Sequence, residues 1–277
     1  MLKNIPLNTI HNEDCLTFIP KLPNESIDII VTDPPYAIST GKKLSMSNIN
    51  KLKGFGGDWK IINESWDTIS FDDYCNLIEK MLQESYRVLK RTGTIWVCGT
   101  YHNIGIINYF AIKTGFLIIN EIIWYKRNAF PNLSQKCITA SHENLLWLAK
   151  SDCWNYNYEA MKSASYKYDK LKKPGKQLRS VWDIPNNKLK DELAYKDVFN
   201  ESYWIKSQKP LRLIDRCLEI TAEPNNIMAD WFCGSGTTLI SAINHSLSFI
   251  GCESNSKYVE VIKWRLKQKG IESPLII

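Results

Sequence analysis

Asp33-Pro34-Pro35-Tyr36 puts a carboxylate, a carbonyl and an aromatic ring side by side, directly after the apolar run Ile27 to Thr32. The run has the length and composition of a buried strand. Two consecutive prolines cannot continue a ladder or a helix, so the backbone leaves the sheet there in a stiff, extended form. That trio suits a flat heterocycle with an exocyclic amine. The ring stacks on Tyr36, and the amine hydrogens are accepted by the Asp33 carboxylate and the Pro34 carbonyl. The plainer reading is a proline-stiffened turn with a half-buried tyrosine.

A second constellation lies far downstream. Ile227 to Asp230 is a short apolar strand that runs through Trp231-Phe232-Cys233 into Gly234-Ser235-Gly236-Thr237-Thr238 and a helix-like segment. The two glycines permit a tight turn and a close approach to a ligand, and the free N–H groups of the helix start favour an anion. The turn lacks the third glycine of a dinucleotide fingerprint and the lysine of a phosphate-cradling loop. A nicotinamide or nucleoside triphosphate site is therefore disfavoured.

Together the two stretches resemble the amino-group DNA methyltransferases of the permuted (beta) class, in which the catalytic tetrad precedes the cofactor turn. Asp33 to Tyr36 matches the tetrad, and Phe232 to Gly236 matches the Phe-x-Gly-x-Gly motif. Within that family the chain looks most similar to the DpnA-like adenine-N6 enzymes acting at GATC, through Thr100 to Ile104 and Pro131 to Ser134. The resemblance spans nearly the whole chain. It implies S-adenosyl-L-methionine as methyl donor, an extruded adenine as acceptor, duplex or single-stranded DNA as partner, and a place in a restriction-modification system with a cognate endonuclease. Asp at the first tetrad position favours adenine; Ser there is common in cytosine-N4 enzymes. The alternatives are a cytosine-N4 methyltransferase, a methylase of RNA or of a free amine, and a non-catalytic DNA-binding protein of methylase fold.

Residue roles follow from the resemblance. Asp33, Pro34, Pro35 and Tyr36 are the expected catalytic residues, with Asp33 also touching the donor. The expected cofactor contacts are Asp14, Cys15, Lys209, Asp230, Phe232, Gly234, Ser235, Gly236, Thr237, Thr238 and Glu253. Glu253 ends the next strand about twenty residues on, where an acid accepts ribose hydroxyls. Asp14 and Cys15 match the segment that lies against the donor adenine, and Lys209-Pro210 the pair that opens the preceding helix. Each has a plainer reading: Glu253 as a helix-start carboxylate, Asp14 as an N-cap, Lys209 as a surface charge. Many relatives carry Pro where Trp231 stands, which predicts a differently shaped strand exit here.

The net charge is +6, but it is unevenly spread. Residues 160–190 contain Lys162, Lys167, Lys170, Lys172, Lys173, Lys176, Arg179, Lys188 and Lys190 against Asp169 and Asp183 alone. Tyr156, Tyr158, Tyr166, Tyr168 and Trp182 are interleaved. Lysines neutralise phosphates and aromatic or polar groups reach bases, so this stretch reads as a nucleic-acid surface. The alternative is a solvated face. Expected DNA contacts are Lys167, Lys172, Lys173, Lys176 and Arg179, joined by Lys42, Lys43, Lys51 and Lys53 on a flap at residues 37–60 that closes over the base.

The supporting elements alternate. Strands are expected at Leu7 to Ile10, Ile27 to Thr32, Thr94 to Cys98, Phe116 to Tyr125, Asn144 to Ala149, Ile227 to Asp230 and Leu247 to Cys252. Helices are expected near Cys15, at Phe71 to Leu89, Asn103 to Thr114, Leu211 to Thr221, after Gly236, and at Asn255 to Lys267, with Gly93 as a break. The pattern predicts an α/β fold with a doubly wound, mainly parallel sheet. The resemblance makes it a seven-stranded Rossmann-like methyltransferase sheet with a hairpin edge and an inserted DNA-recognition lobe. The divisions are a catalytic half at 1–150, a target-recognition lobe at 151–207 and a cofactor half at 208–277.

A chain of 277 residues that is 44% hydrophobic can bury such a core. No signal-peptide pattern opens it, and the uncharged stretch from Thr92 to Ile112 is too rich in Gly, Asn, His and Thr to span a bilayer. A cytoplasmic protein without a membrane partner, monomer or homodimer, is expected. The eight cysteines, at 15, 75, 98, 137, 153, 217, 233 and 252, form no Cys-x-x-Cys pair, and the four histidines no ligand spacing. Reduced core thiols and no metal are expected.

Overall fold

The structure, a computed structural model, describes residues 7–36, 69–129, 136–163, 169–186, 208–271 and 275–276. The flap at 37–60 with Lys42, Lys43, Lys51 and Lys53, as well as Lys167, Tyr166, Tyr168, Lys188, Lys190 and Pro131 to Ser134, lies outside them.

The chain opens with β1 (Thr9–His11) and the short helix α1 (Cys15–Phe18), whose first turn is capped by Asp14 accepting the Leu16 N–H at 2.8 Å. β2 (Ile27–Thr32) follows, buried along almost its whole length. α2 (Phe71–Val88) starts at Ser70, which accepts the Asp73 N–H, and carries Asp72 and Asp73 at its positive end. Tyr74, Ile78, Met81, Leu82, Ser85 and Val88 recur at helical spacing and form its buried stripe. Then come β3 (Leu89–Gly99), α3 (Ile104–Thr114), β4 (Leu117–Tyr125) and β5 (His142–Ala149). α4 (Tyr158–Ser163) and β6 (Val181–Asp183) occupy the basic stretch. The last part runs α5 (Leu211–Thr221), β7 (Ile227–Asp230), α6 (Thr237–Asn244), β8 (Ser248–Cys252), α7 (Ser256–Lys267) and β9 (Leu275–Ile276).

All the described strands join one sheet in the order β6-β4-β5-β3-β2-β7-β8-β1-β9. Only β5 is reversed: it pairs antiparallel with β3 and β4, and every other neighbour is parallel. The β4–β5 hairpin edge is the one expected. Helices cover both faces. Phe18, Ile78, Met81 and Ile107 from α1, α2 and α3 pack on one side; Leu213, Leu239, Ile262 and Met161 from α5, α6, α7 and α4 pack on the other.

Three expectations change. The sheet has nine strands rather than seven, because three-residue β6 and two-residue β9 extend its edges. Gly93 does not separate helix from strand. β3 begins at Leu89, directly after α2, and Gly93 sits where the β2–β3 register slips from Ile27↔Leu89 to Ile29↔Thr94. A Cβ there would meet the Leu89 side chain and the Lys90 carbonyl at 2.9 Å, so the glycine serves a bulge. Trp182, grouped with the DNA-facing aromatics, is fully buried in the main core.

The basic stretch is thus anchored to the sheet rather than standing apart. β6 pairs with β4, and Trp182 packs at 6.0 Å from Trp96. A buried ion pair, Arg216 to Asp169 at 2.6 Å, ties its loop to α5, with the guanidinium 5.1 Å from the Trp182 ring. Among the described residues no helix is long and apolar enough to cross a membrane, and no cluster of His, Cys, Asp or Glu can hold a metal. The eight cysteines are free thiols, five of them buried.

Candidate active site

β2 and β7 lie side by side in parallel register, Ile29 facing Met228 and Ile30 facing Ala229. Both strands leave the sheet at the same end. Asp33 is three residues past Ile30 and Phe232 three past Ala229, so the proline-braced turn and the glycine turn emerge together. This is the carboxyl end of a parallel sheet, where such folds collect ligands. A cavity of about 520 Å³ opens between them, within the range of small-molecule sites.

Asp14, Asp33, Pro34, Pro35, Tyr36, Lys209, Asp230, Phe232, Gly234, Ser235, Thr237, Thr238 and Glu253 all line it. Cys15 and Gly236 do not. The Cys15 thiol is buried among apolar side chains, where desolvation pushes its pKa far above the usual range. Gly236 takes φ +75° at the start of α6, and a Cβ would come within 3.1 Å of Ile262, so it shapes the turn from behind.

The glycine turn is held from three sides. Asp230 accepts the Phe232 N–H at 3.0 Å and the Thr238 hydroxyl at 2.5 Å. Burial raises its pKa to about 7. Glu253 accepts the Gly234 N–H on one oxygen and the Asn255 N–H on the other, both at 2.8 Å, and burial raises its pKa too. The carboxylate keeps acceptor capacity for a hydroxyl. Arg265, on α7, donates to the Ser235 carbonyl at 2.6 Å and to the Ser235 and Thr237 hydroxyls at 3.0 and 3.1 Å.

The tetrad has its own network. Tyr36 donates its hydroxyl to Asp33 Oδ1 at 2.7 Å. Lys209 Nζ donates to Asp33 Oδ2 and to the Tyr36 oxygen, each at 2.5 Å, and lies 5.1 Å from the Tyr36 ring centre. Glu143, from the start of β5, reaches 3.5 Å from Lys209 and is bound by Lys126 at 2.7 Å. Burial pushes the Asp33 carboxyl up despite Lys209 and Tyr36. It pushes the Tyr36 phenol far up as well, with Asp33 and Glu143 adding to it. Burial opposes the Lys209 charge, but Asp33 and Glu143 outweigh it and raise the ammonium above its usual range. Glu143 is likewise held below the carboxylate range, since Lys209 and Lys126 outweigh its desolvation.

Lys209 is therefore a buried partner of the tetrad rather than a surface charge. Trp231 points away from the cavity: it is buried against α2 and donates its ring N–H to Ser85 at 2.9 Å. Sequence reasoning missed Glu143, Lys126 and Arg265, along with the cavity residues Asn255 and Tyr258. Nothing local marks them; only strand pairing and helix packing bring them in. On the basic loop, Lys173, Lys176 and Arg179 are exposed. Lys172 differs: its ammonium donates to the carbonyls of Lys162, Lys173 and Lys176, so it closes the loop on itself.

The fit to a nucleoside-type donor rests on one local feature. Gly234 has φ +50°, and a Cβ there would meet nothing within 4 Å, so the turn presents open backbone to the cavity beside the Glu253 acceptors. An acidic acceptor pair for hydroxyls, the Asp230 carboxyl and a bare glycine surface are a matching donor set.

Residues 27–264 match the model of the N6/N4 DNA methylase family. The type II methyltransferase M.HinfI of Haemophilus influenzae is 34% identical over 95% of this chain and 69% of its own length. The type II methyltransferase M2.LlaDCHI of Lactococcus lactis subsp. cremoris is 34% identical over 92% of this chain and 87% of its own. The crystal structure of the M1.HpyAVI complex with S-adenosylmethionine aligns with TM-score 0.63 and 23% identity, over 93% of this chain and 98% of that one.

Proposed function

The chain belongs to the N6/N4 DNA methylase family, an S-adenosylmethionine-dependent group, and on that premise we propose that it is a site-specific adenine-N6 methyltransferase acting at GATC in a restriction-modification system. The observation that carries this is the shared cavity of Asp33 to Tyr36 and the Phe232 to Thr238 turn. Bound there, S-adenosylmethionine supplies a methyl group on a cationic sulfonium.

The residues of the chain do the rest. The open backbone at Gly234, the Glu253 carboxylate and Asp230 hold the donor: Glu253 through the ribose hydroxyls, Asp230 through the amino group. Asp14 and Tyr258, which also line the cavity, would hold the donor's adenine. A base amine inside a duplex is paired and stacked, so the nucleotide must be extruded at a cost of about a few kcal/mol. Tyr36 replaces the lost stacking. Asp33 and the Pro34 carbonyl accept the amine hydrogens, which turns the nitrogen lone pair out of the ring plane and toward the donor side. The nitrogen becomes acidic as it is methylated, so Asp33 need only take a proton that is already leaving.

Asp at the first tetrad position supports adenine over cytosine. The type II naming of both relatives supports a cognate endonuclease as partner. Exposed Lys173, Lys176 and Arg179 support residues 151–207 as the DNA-recognition region.

The test is direct. DNA methylated with isotopically labelled donor is digested to nucleosides, and the same DNA is challenged with GATC-cutting endonucleases blocked by adenine methylation. Label on N6-methyl-2′-deoxyadenosine with full protection is the expected result. Label on N4-methyl-2′-deoxycytidine overturns the base assignment, and label without protection overturns the site.

A further inference from the structure

Lys209 competes for the carboxylate that an incoming amine needs. Its ammonium uses Asp33 Oδ2 and the Tyr36 oxygen, and the Tyr36 hydroxyl uses Asp33 Oδ1. The same cation lies 5.1 Å from the centre of the ring on which a base would stack. In this arrangement each Asp33 oxygen already accepts a bond from one of the protein's own side chains, and a cation stands beside the ring.

Lys209 is 8% exposed on its side chain, so it cannot simply swing into water and leave its charge unpaired at no cost. Among the described residues, the carboxylate of Glu143 is within reach. Glu143 Oε2 stands 3.5 Å from Nζ, and its nearest described partners, Lys209 and Tyr36, are both at that distance. The other oxygen, Oε1, is bound by Lys126 at 2.7 Å. Glu143 enters from β5, two strands across from β2, so its position is set independently of the Asp33 turn. The four charges of Asp33, Glu143, Lys209 and Lys126 balance, and moving Lys209 from one carboxylate to the other leaves that balance unchanged.

We propose that Glu143 is a positioning residue that receives the Lys209 ammonium when a target base enters, freeing Asp33 and the Tyr36 ring for the amine. The proposal rests on the reading of Asp33 and Tyr36 as the base acceptors. Lys209 is then a removable plug, and Glu143 acts through it rather than on the substrate.

The experiment is a double-mutant cycle on single-turnover methyl transfer to unmethylated phage DNA at saturating labelled donor, with donor Kd measured by calorimetry. Glu143→Gln is expected to slow transfer at least about tenfold while donor Kd stays within about twofold. In a Lys209→Gln background the same substitution is expected to cost less than about threefold, because the cation it should receive is gone. Equal losses in both backgrounds, a parallel loss of donor binding, an unimpaired Glu143→Gln enzyme or a Lys209→Gln enzyme without measurable transfer would each overturn the proposal. If Glu143→Gln does not fold by circular dichroism, Glu143→Asp, which keeps the charge but draws it back, is taken through the same cycle with a partial effect expected. An Asp33→Ala enzyme that still transfers methyl groups would remove the underlying reading; the outcomes above remove only the role of Glu143.

Discussion

Lys209 and Asp33 stand 176 residues apart in the chain and 2.5 Å apart in space. Their ion pair joins the strand that ends in the tetrad to the segment that opens α5, so these two distant segments are tied together by a charge pair in the cavity wall. Removing either partner leaves the other under-compensated, although Glu143 remains near Lys209.

Donor binding should depend on pH through Asp230. Burial raises its pKa to about 7, so below that value it is largely protonated and attracts a cationic amino group weakly. Calorimetry should show affinity rising with pH, with up to about tenfold between pH 6 and 8, and Asp230→Asn should flatten the dependence. Stability runs the other way. A carboxyl raised from 3.8 to about 7 on folding contributes stability that is present at low pH and is lost as pH rises through about 7. Asp230→Asn should remove that slope from denaturant curves.

The two glycines of the turn should fail differently. Gly236→Ala meets both a positive φ and Ile262 at 3.1 Å, so Tm should fall, with a cost of about 2 kcal/mol or more. Gly234→Ala has the same backbone penalty but open space, so stability should drop by about 1 kcal/mol while donor Kd rises much further. Thermal melts and calorimetry on both variants separate the two effects.

Arg265→Ala should loosen the turn without touching the cavity. It removes the hydrogen bonds that the guanidinium donates to Ser235 and Thr237, one of them to a backbone carbonyl. A charge-assisted bond contributes about 1.5 to 3 kcal/mol, part of it offset here by solvent replacement. Donor Kd is expected to rise about tenfold, with kcat at saturating donor little changed.

The exposed basic loop should show in salt dependence. Replacing Lys173, Lys176 or Arg179 by Gln should reduce the slope of log Kd against log salt by about 0.9 for each phosphate no longer neutralised. Lys172→Gln should instead destabilise the loop, because its ammonium serves three carbonyls. Limited proteolysis around residues 162–179 is the readout.

The tetrad and the glycine turn were legible because each is a local run whose chemistry lies in consecutive residues. Their adjacency was legible only through the rule that ligands gather at strand ends; the pairing of Ile30 with Ala229 is a long-range fact that no local pattern carries. Helix boundaries such as Leu211 to Thr221 followed from apolar spacing. Gly93 misled because a glycine between a helix and a strand reads as a stop, whereas its bulge depends on the neighbouring strand. Trp182 misled because a tryptophan among lysines looks exposed until β6 is seen to join the sheet. Glu143 and Arg265 could not be found at all, since their partners lie on distant elements.

Asp33→Ala tests the central claim most directly, with labelled-methyl transfer to unmethylated DNA and donor Kd measured on the same preparation. Transfer slowed by at least about a thousandfold, with donor affinity within a few fold of the parent, is the outcome expected if the Asp33 carboxylate receives the base amine. Turnover at the parent rate would contradict it.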